Sequence, residues 1–261
     1  MRPAAAALAL LLASCDTGSA PLNQNSADHS AQSACSDIAF EGADFTDCVA
    51  TPGQHRIDLV IGPDKGAPYR GFAAFAASQP ERAKRVVFAV NGGMFDDAGR
   101  PIGYAVEGGQ RRHDVNRARG PGNFHLLPNG VFLGDSKGWR VIETSRLAND
   151  PKGAVQFATQ SGPMLVIGGK LHPKFSKDGE SRYVRNGVGV DRTGRAHFVI
   201  SQDPVSFGRF ARLFRDRLQT PDALFLDGNV SSVWDPSDGR IDQSVPLGPL
   251  IVVEKAAKGG G

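Results

Sequence analysis

Apolar residues occur along this chain in short runs that end at glycine-containing turns. Residues 86–90 are five apolar residues rich in β-branched side chains, too few for a stable free helix, so they predict a buried strand. That run ends at Asn91-Gly92-Gly93, and residues 223–226 form a second apolar run that ends at Asp227-Gly228. Either end alone would suit an ordinary strand-to-turn junction, but polar residues and glycines at strand ends are also typical of functional sites.

Turn residues that tolerate positive φ recur between the other apolar runs, at residues 97–99, 128–130, 168–169 and 192–194. Such turns predict antiparallel hairpins, among them one that pairs residues 124–127 with 131–133. Helical spacing of large apolar residues predicts helices near residues 72–79 and over 207–218. The predicted fold class is therefore α+β, with strand-dominated mixed or antiparallel sheets and a few packed helices.

Residues 1–14 have the features of an export signal: an arginine at position 2, an apolar stretch too short to span a bilayer, and small residues before Cys15. The pattern is similar to a bacterial lipoprotein signal, in which Cys15 would carry the lipid and become the first mature residue. This predicts a chain anchored to a membrane by acyl groups on the periplasmic side of the cell envelope. Ordinary cleavage and secretion is the alternative.

Composition divides the rest of the chain. Residues 15–36 are rich in Ser, Ala, Asn and Gln and predict a flexible tether, residues 37–255 predict one folded domain, and residues 256–261 predict a disordered tail. Cys35 and Cys48 remain after the signal. In an oxidising compartment they are expected to form a disulfide, with two buried free thiols as the alternative.

The charge balance excludes some partners and cofactors. A net charge of +3 spread along the chain gives no basic patch of the kind that nucleic acid requires. The six histidines lack chelating spacing, and no phosphate-binding loop motif occurs, so we predict no metal and no cofactor. The sequence makes no prediction of oligomeric state.

Further candidate side chains lie beside other apolar runs. Glu107 follows the run at residues 102–106 and is either a desolvated acid or base, or an exposed hairpin residue. Arg185 precedes the run at residues 187–190, and its planar guanidinium suits a carboxylate or phosphate. Ser161 brings a hydroxyl to the start of another strand. None of these signals is specific alone.

Several short motifs in fixed order across residues 50–255 resemble the phosphodiester glycosidase family. They are Asn91-Gly92-Gly93-Met94-Phe95, Glu107, Gly122-Asn123-Phe124, Pro128-Asn129-Gly130-Val131, Ser161-Gly162-Pro163, Arg185-Asn186-Gly187, Leu226-Asp227-Gly228 and Ser231-Ser232. Many members have a run of glycines after the aspartate, whereas this chain has Asn229-Val230 there. The chain is therefore similar to a bacterial branch, and the sugar specificity of the best-known member is not expected to apply.

The resemblance implies a hydrolase that cleaves the glycosidic bond of a small-molecule or glycan phosphodiester in the cell envelope. It implies that Arg185 holds the phosphate and that Asp227 and Glu107 face the anomeric carbon. Substrate hydroxyls or phosphate would be bound by the polar side chains of Asn91, Ser161, Ser231 and Ser232, with Gly92 and Gly228 allowing close approach. Two other readings remain open, namely a noncatalytic carbohydrate- or phosphate-binding lipoprotein and a structural envelope protein.

Overall fold

A computed structural model describes Met1 and residues 33–63, 65–149 and 154–257, so the predicted lipidation site Cys15 lies outside the described residues. Most of the described chain is extended. Its strands are β1 Cys35–Phe40, β2 Ala43–Ala50, β3 His55–Val60, β4 Val86–Asn91, β5 Ala105–Glu107, β6 Gln110–His113, β7 Gly130–Asp135, β8 Gly138–Glu143, β9 Phe157–Ser161, β10 Met164–Ile167, β11 Lys170–Leu171, β12 Asn186–Val190, β13 Ala196–Ser201, β14 Asp222–Phe225, β15 Val233–Asp235, β16 Arg240–Ile241 and β17 Leu250–Lys255.

Helical segments are short. They are α1 Phe72–Ser78, α2 Pro80–Ala83 and α3 Phe207–Arg212, which continues as a π turn over Leu213–Arg217, and the 3₁₀ turns Asn123–His125, Thr144–Asn149 and Gly228–Val230. Ser206 caps α3 by accepting a hydrogen bond from the Arg209 N–H. No helix in the described part of the chain is long and apolar enough to cross a membrane.

The strands form three sheets. Their strand orders are β1-β2-β13-β12-β14-β10-β11, β16-β15-β4-β17-β3 and β6-β5-β9-β7-β8. All the strand pairs described are antiparallel. The predicted strand-dominated α+β class is thus confirmed.

The main core lies where the three sheets meet. Phe88 of β4, Phe132 of β7 and Phe198 of β13 come from different sheets, and the Phe198 ring lies 5.5 Å from Phe88 and 5.6 Å from Phe132. All three rings are buried. Because each sheet contributes to one shared core, the ends of strands from different sheets are held in fixed relation to one another.

The N-terminal hairpin β1–β2 is joined by the predicted disulfide between Cys35 and Cys48, which lie opposite each other in the ladder. β1 begins at Cys35, which lies within residues 15–36, the segment whose composition predicts a tether. Ser33 also donates a hydrogen bond to Asp235 at 2.6 Å.

The predicted hairpins at residues 168–169 and 192–194 are confirmed as β10–β11 and β12–β13. The predicted strand at residues 124–127 is wrong. Residues Asn123–His125 form a 3₁₀ turn, and β7 instead pairs with β8 and β9. The reason is local, because the Asn129 side chain donates to the Phe124 carbonyl at 2.9 Å and thereby holds that loop folded back on itself.

Candidate active site

A cavity of about 400 Å³ lies beside the segment that follows β14. Its lining includes Met94, Phe95, Phe124, His125, Phe225 and Asp227. Aromatic side chains therefore form much of its wall, and Asp227 is the carboxylate among its lining residues. A concave, largely apolar site with a few polar groups is the usual form of a small-molecule site.

The Asp227 carboxylate has few partners. One oxygen accepts a hydrogen bond from the Asn229 N–H at 3.2 Å, and no cation forms an ion pair with it among the described residues. Burial raises the pKa of Asp227, and the Asn229 N–H only partly opposes that effect. An ionised Asp227 is thus poorly stabilised by the protein, which leaves it available to a substrate.

Asn91 at the end of β4 fixes the backbone around Asp227. Its side-chain N–H donates to the Asp227 carbonyl at 3.0 Å, and its side-chain oxygen accepts from the Ser232 N–H at 3.0 Å and from the Asn186 amide at 2.7 Å. Since Asn91 is 1% exposed, this amide joins three chain segments from within the protein. Its place in the structure is that of a positioning residue behind the cavity.

The end of β9 holds two walls of the cavity together. The Pro163 carbonyl accepts the Phe225 N–H at 3.0 Å, and an added Cβ at Gly162 would lie 2.8 Å from the Phe124 carbonyl. Phe225 and Phe124 both line the cavity. Glycine at position 162 is therefore required by close backbone packing rather than by the substrate.

The other two glycines of the predicted site also pack against the protein. An added Cβ at Gly92 would lie 3.0 Å from the Pro249 carbonyl, and one at Gly228 would lie 2.6 Å from the Phe225 ring. Gly228 does line the cavity. The close approach predicted at Gly92 thus serves the contact of β4 with the loop before β17.

The three predicted serines differ in their surroundings. The hydroxyl oxygens of Ser161 and Ser232 are buried and have no hydrogen-bond partner within the described residues. The Ser231 hydroxyl donates to the Gly228 carbonyl at 3.1 Å and closes the turn after Asp227. None of the three is among the lining residues of the cavity.

Arg185 is a buried cation that lies beside the cavity without lining it. Its guanidinium stacks at 3.6 Å on the Phe207 ring, lies 5.7 Å from the Phe225 ring, and donates to the Val205 carbonyl at 2.8 Å. Desolvation lowers the pKa of Arg185 to about 10. Among the described residues, no carboxylate forms an ion pair with it, so its charge stays unneutralised although it is 2% exposed.

Glu107 is not brought to the Asp227 cavity. Its carboxylate accepts the Ile61 N–H at 3.0 Å and an Arg112 N–H at 2.9 Å. Burial raises the pKa of Glu107, opposed by the hydrogen bond from Ile61 and by Arg112, while the nearby Asp58 charge raises it further. Glu107 is not among the lining residues of the cavity that contains Asp227, because β5 runs away from the end of β9 towards β3.

His125 is a cavity residue that the sequence reasoning missed, since the histidines were examined only for chelating spacing. It comes directly after the Gly122-Asn123-Phe124 motif, and that position is the signal that could have identified it. The described residues contain no group of three or more His, Cys, Asp or Glu side chains arranged to hold a metal ion.

Three antiparallel sheets around a shared core, with a desolvated aspartate in an aromatic-lined cavity, define an α+β protein with a candidate small-molecule site. The family model described as phosphodiester glycosidase matches residues 84–249, which include Asn91, Arg185 and Asp227. The chain belongs to the phosphodiester glycosidase family.

Individual proteins are similar to this chain in sequence or in structure. An uncharacterised protein of Escherichia coli K12, YigE, is 35% identical over 173 residues, which are 66% of this chain and just under two thirds (66%) of that protein. The catalytic domain of zebrafish N-acetylglucosamine-1-phosphodiester alpha-N-acetylglucosaminidase, auto-inhibited by its pro-peptide, matches with a TM-score of 0.54 at 15% identity over 85% of this chain and 82% of that one. A hypothetical protein from Synechocystis matches with a TM-score of 0.53 at 14% identity, over 85% of this chain and 61% of that one. At such identities the structural matches support the fold.

Proposed function

We propose that this protein hydrolyses the bond between the anomeric carbon of a sugar and the phosphate of a sugar-1-phosphodiester, with Asp227 acting at that carbon. The observation that carries the proposal is the Asp227 carboxylate itself, which lies in an aromatic-lined cavity with one backbone N–H as its partner. A site that only bound a phosphodiester would gain nothing from this carboxylate, because it repels the anionic phosphate. Catalysis therefore explains Asp227 better than binding alone.

The chemistry suits a single carboxylate. Water bonds to the anomeric carbon and gives up a proton that ends in solvent, while the carbon–oxygen bond to phosphate breaks and its electron pair leaves with the phosphate oxygen. A phosphate monoester is a better leaving group than an alcohol, so the strong acid assistance of ordinary glycoside hydrolysis is less necessary. Positive charge that develops on the sugar ring would be stabilised by Asp227, and the apolar walls strengthen that interaction.

Arg185 supports an anionic substrate without touching it. Its buried charge has no carboxylate partner in the part of the chain that the structure describes, and it lies 5.7 Å from the ring of Phe225, which forms part of the cavity wall. In a region of low dielectric, an unneutralised cation contributes a positive potential to neighbouring space. We propose that this potential offsets the charge of the bound phosphate, while Asn91, which accepts a hydrogen bond from the Ser232 N–H, holds the Asp227 backbone in place.

The reaction is tested by hydrolysing a panel of hexose- and N-acetylhexosamine-1-phosphodiesters, each carrying a methyl group on the phosphate, in water enriched in ¹⁸O. The panel includes the α-linked N-acetylglucosamine compound because the zebrafish relative is named for that linkage. We expect ¹⁸O in the anomeric hydroxyl and none in the released methyl phosphate. Label in the phosphate would show attack at phosphorus, and binding without turnover would favour the noncatalytic reading.

We further propose that the protein works in the cell envelope after export, anchored by lipid on Cys15. The apolar segment at residues 4–12 and the small residues before Cys15 support an export signal. The disulfide between Cys35 and Cys48 is consistent with folding in an oxidising compartment. Metabolic labelling with a fatty-acid analogue would detect the lipid, and the label should disappear in Cys15→Ala.

A further inference from the structure

His125 shares the cavity with Asp227, and the structure defines which of its ring nitrogens is available. Its Nδ1 lies 2.9 Å from the Ala118 carbonyl oxygen. A carbonyl oxygen can only accept a hydrogen bond, so Nδ1 must carry the proton. In the neutral ring Nε2 is then unprotonated, and no group of the described residues donates to it.

The ring is held in position from more than one side. An added Cβ at Gly120 would lie 2.9 Å from Cδ2 and 3.1 Å from Nε2 of His125, so the Gly120 backbone packs closely against that edge. The Phe124 ring meets the imidazole edge to face, with 5.0 Å between centroids. Together with the bond to Ala118, these contacts restrict the rotation of the His125 ring.

We propose that His125 is the general base of this site, a role that rests on the proposed hydrolysis of a sugar-1-phosphodiester. Nε2 takes a proton from the attacking water as the water oxygen bonds to the anomeric carbon. The bond between that carbon and the phosphate oxygen breaks, and its electron pair leaves with the phosphate monoester. His125 then passes the proton to solvent, so the net products are the free sugar, the monoester and one proton.

Two titratable groups in one cavity divide the work that a glycosidase usually assigns to a pair of carboxylates. Asp227 faces the positive charge that develops on the sugar, and His125 activates the water. Glu107, whose carboxylate is bound by Ile61 and Arg112, is not needed for either role. The second group of the site thus comes from the turn at Asn123–His125.

The test compares His125→Asn and His125→Ala with the wild type on the best substrate of the panel. The asparagine amide can still donate to the Ala118 carbonyl, so His125→Asn keeps the anchor and removes only Nε2. We expect kcat to fall by about 10²–10³-fold in both variants, with KM changed by less than about threefold. Added imidazole should restore His125→Ala at least tenfold and should leave His125→Asn unchanged.

His113→Asn is the matched control, because the His113 Nδ1 also contacts a carbonyl, that of Asp114 at 2.8 Å, but the residue is exposed and does not line the cavity. It should keep wild-type kcat. If His125→Ala fails to fold, Gly120→Ala replaces it. An added Cβ there displaces the ring, and a shift of about 1 Å can cost up to about 10²-fold in rate.

The outcomes separate this inference from the proposed function. A wild type that hydrolyses the substrate, together with a His125→Asn variant that keeps more than a third of kcat, overturns the role of His125 and leaves the function standing. A folded wild type that hydrolyses no member of the panel overturns both. Loss of activity in His125→Asn with imidazole rescue of His125→Ala supports both.

Discussion

Asp227 and Glu107 look alike in the sequence and differ in the folded protein. Each follows an apolar strand and precedes a glycine, and burial raises the pKa of both carboxyl groups. Glu107, however, accepts hydrogen bonds from the Ile61 N–H and from Arg112, whereas Asp227 accepts one from the Asn229 N–H. Burial alone therefore does not identify a reactive carboxylate.

The difference comes from what lies opposite each strand end. β5 pairs with β6, which brings Arg112 to within 2.9 Å of Glu107, and the end of β3 supplies the Ile61 N–H. Beyond β14 the chain instead passes an aromatic cavity, where no cationic side chain of the described residues forms an ion pair with Asp227. A neutralised carboxylate has its lone pairs occupied, while an unneutralised one retains them for a substrate.

The difference between Asp227 and Glu107 predicts that Asp227→Asn has the largest effect on catalysis. We expect kcat on the active sugar-1-phosphodiester to fall by about 10²–10⁴-fold, because the amide carries no negative charge to stabilise the developing positive charge on the sugar. Steady-state kinetics on the purified variant measure the change. Retention of more than a tenth of wild-type kcat would remove Asp227 from the mechanism.

Much of the fold was predictable because it rests on local signals. Turn residues at positions 168–169 and 192–194 indicated β10–β11 and β12–β13, and the apolar spacing after residue 206 indicated α3. The turn at Asn123–His125 was mistaken for a strand because its conformation depends on the Asn129 side chain bonding to the Phe124 carbonyl. A propensity pattern does not contain such a contact.

The site was predictable only in part for a related reason. The motif order indicated that Asn91 and Asp227 belong together, and the structure joins them through a 3.0 Å hydrogen bond. The same order grouped Glu107 with these two residues. A linear list of motifs does not say in which direction β5 runs, so it could not show that Glu107 lies away from the cavity. His125 was missed because the histidines were examined only for chelating spacing, and its contact with the Ala118 carbonyl, seven residues earlier, is visible only in the folded chain.

A second prediction for Asp227 concerns stability. Because burial raises the pKa of the folded-state carboxyl above its usual value, the ionised form costs stability at pH values above that raised pKa, and the cost disappears once the group is protonated in both states. Asp227→Asn should therefore be more stable than the wild type near pH 8. A gain of about 1 kcal/mol would raise the melting temperature by about 2–4 °C in a domain of this size.

The gain in Asp227→Asn should shrink as the pH falls towards 3, where the wild-type carboxyl is neutral as well. Urea unfolding at pH 8, 6 and 4 measures the trend, with Asp238→Asn as the control at an exposed position. A gain that is the same at each pH would mean that desolvation of the charge is not its cause. If Asp227→Asn is less stable than the wild type, the ionised carboxylate makes a stabilising interaction that outweighs the cost of its burial.

Glu107→Gln should have the smallest effect on catalysis. The glutamine oxygen can still accept the Ile61 N–H, and what is lost is the 2.9 Å ion pair between Glu107 and Arg112. The Arg112 side chain is 29% exposed and that of Glu107 is 16% exposed. Such pairs contribute at most about 1 kcal/mol to stability. We expect kcat within about twofold of wild type and a slightly lower melting temperature. The double variant with Asp227→Asn should show independent effects on rate, because the hydrogen-bond partners of the two carboxylates within the described residues are different. A loss of more than about tenfold in Glu107→Gln, with folding unchanged, would return Glu107 to the active site and would require β5 to approach the cavity when substrate binds.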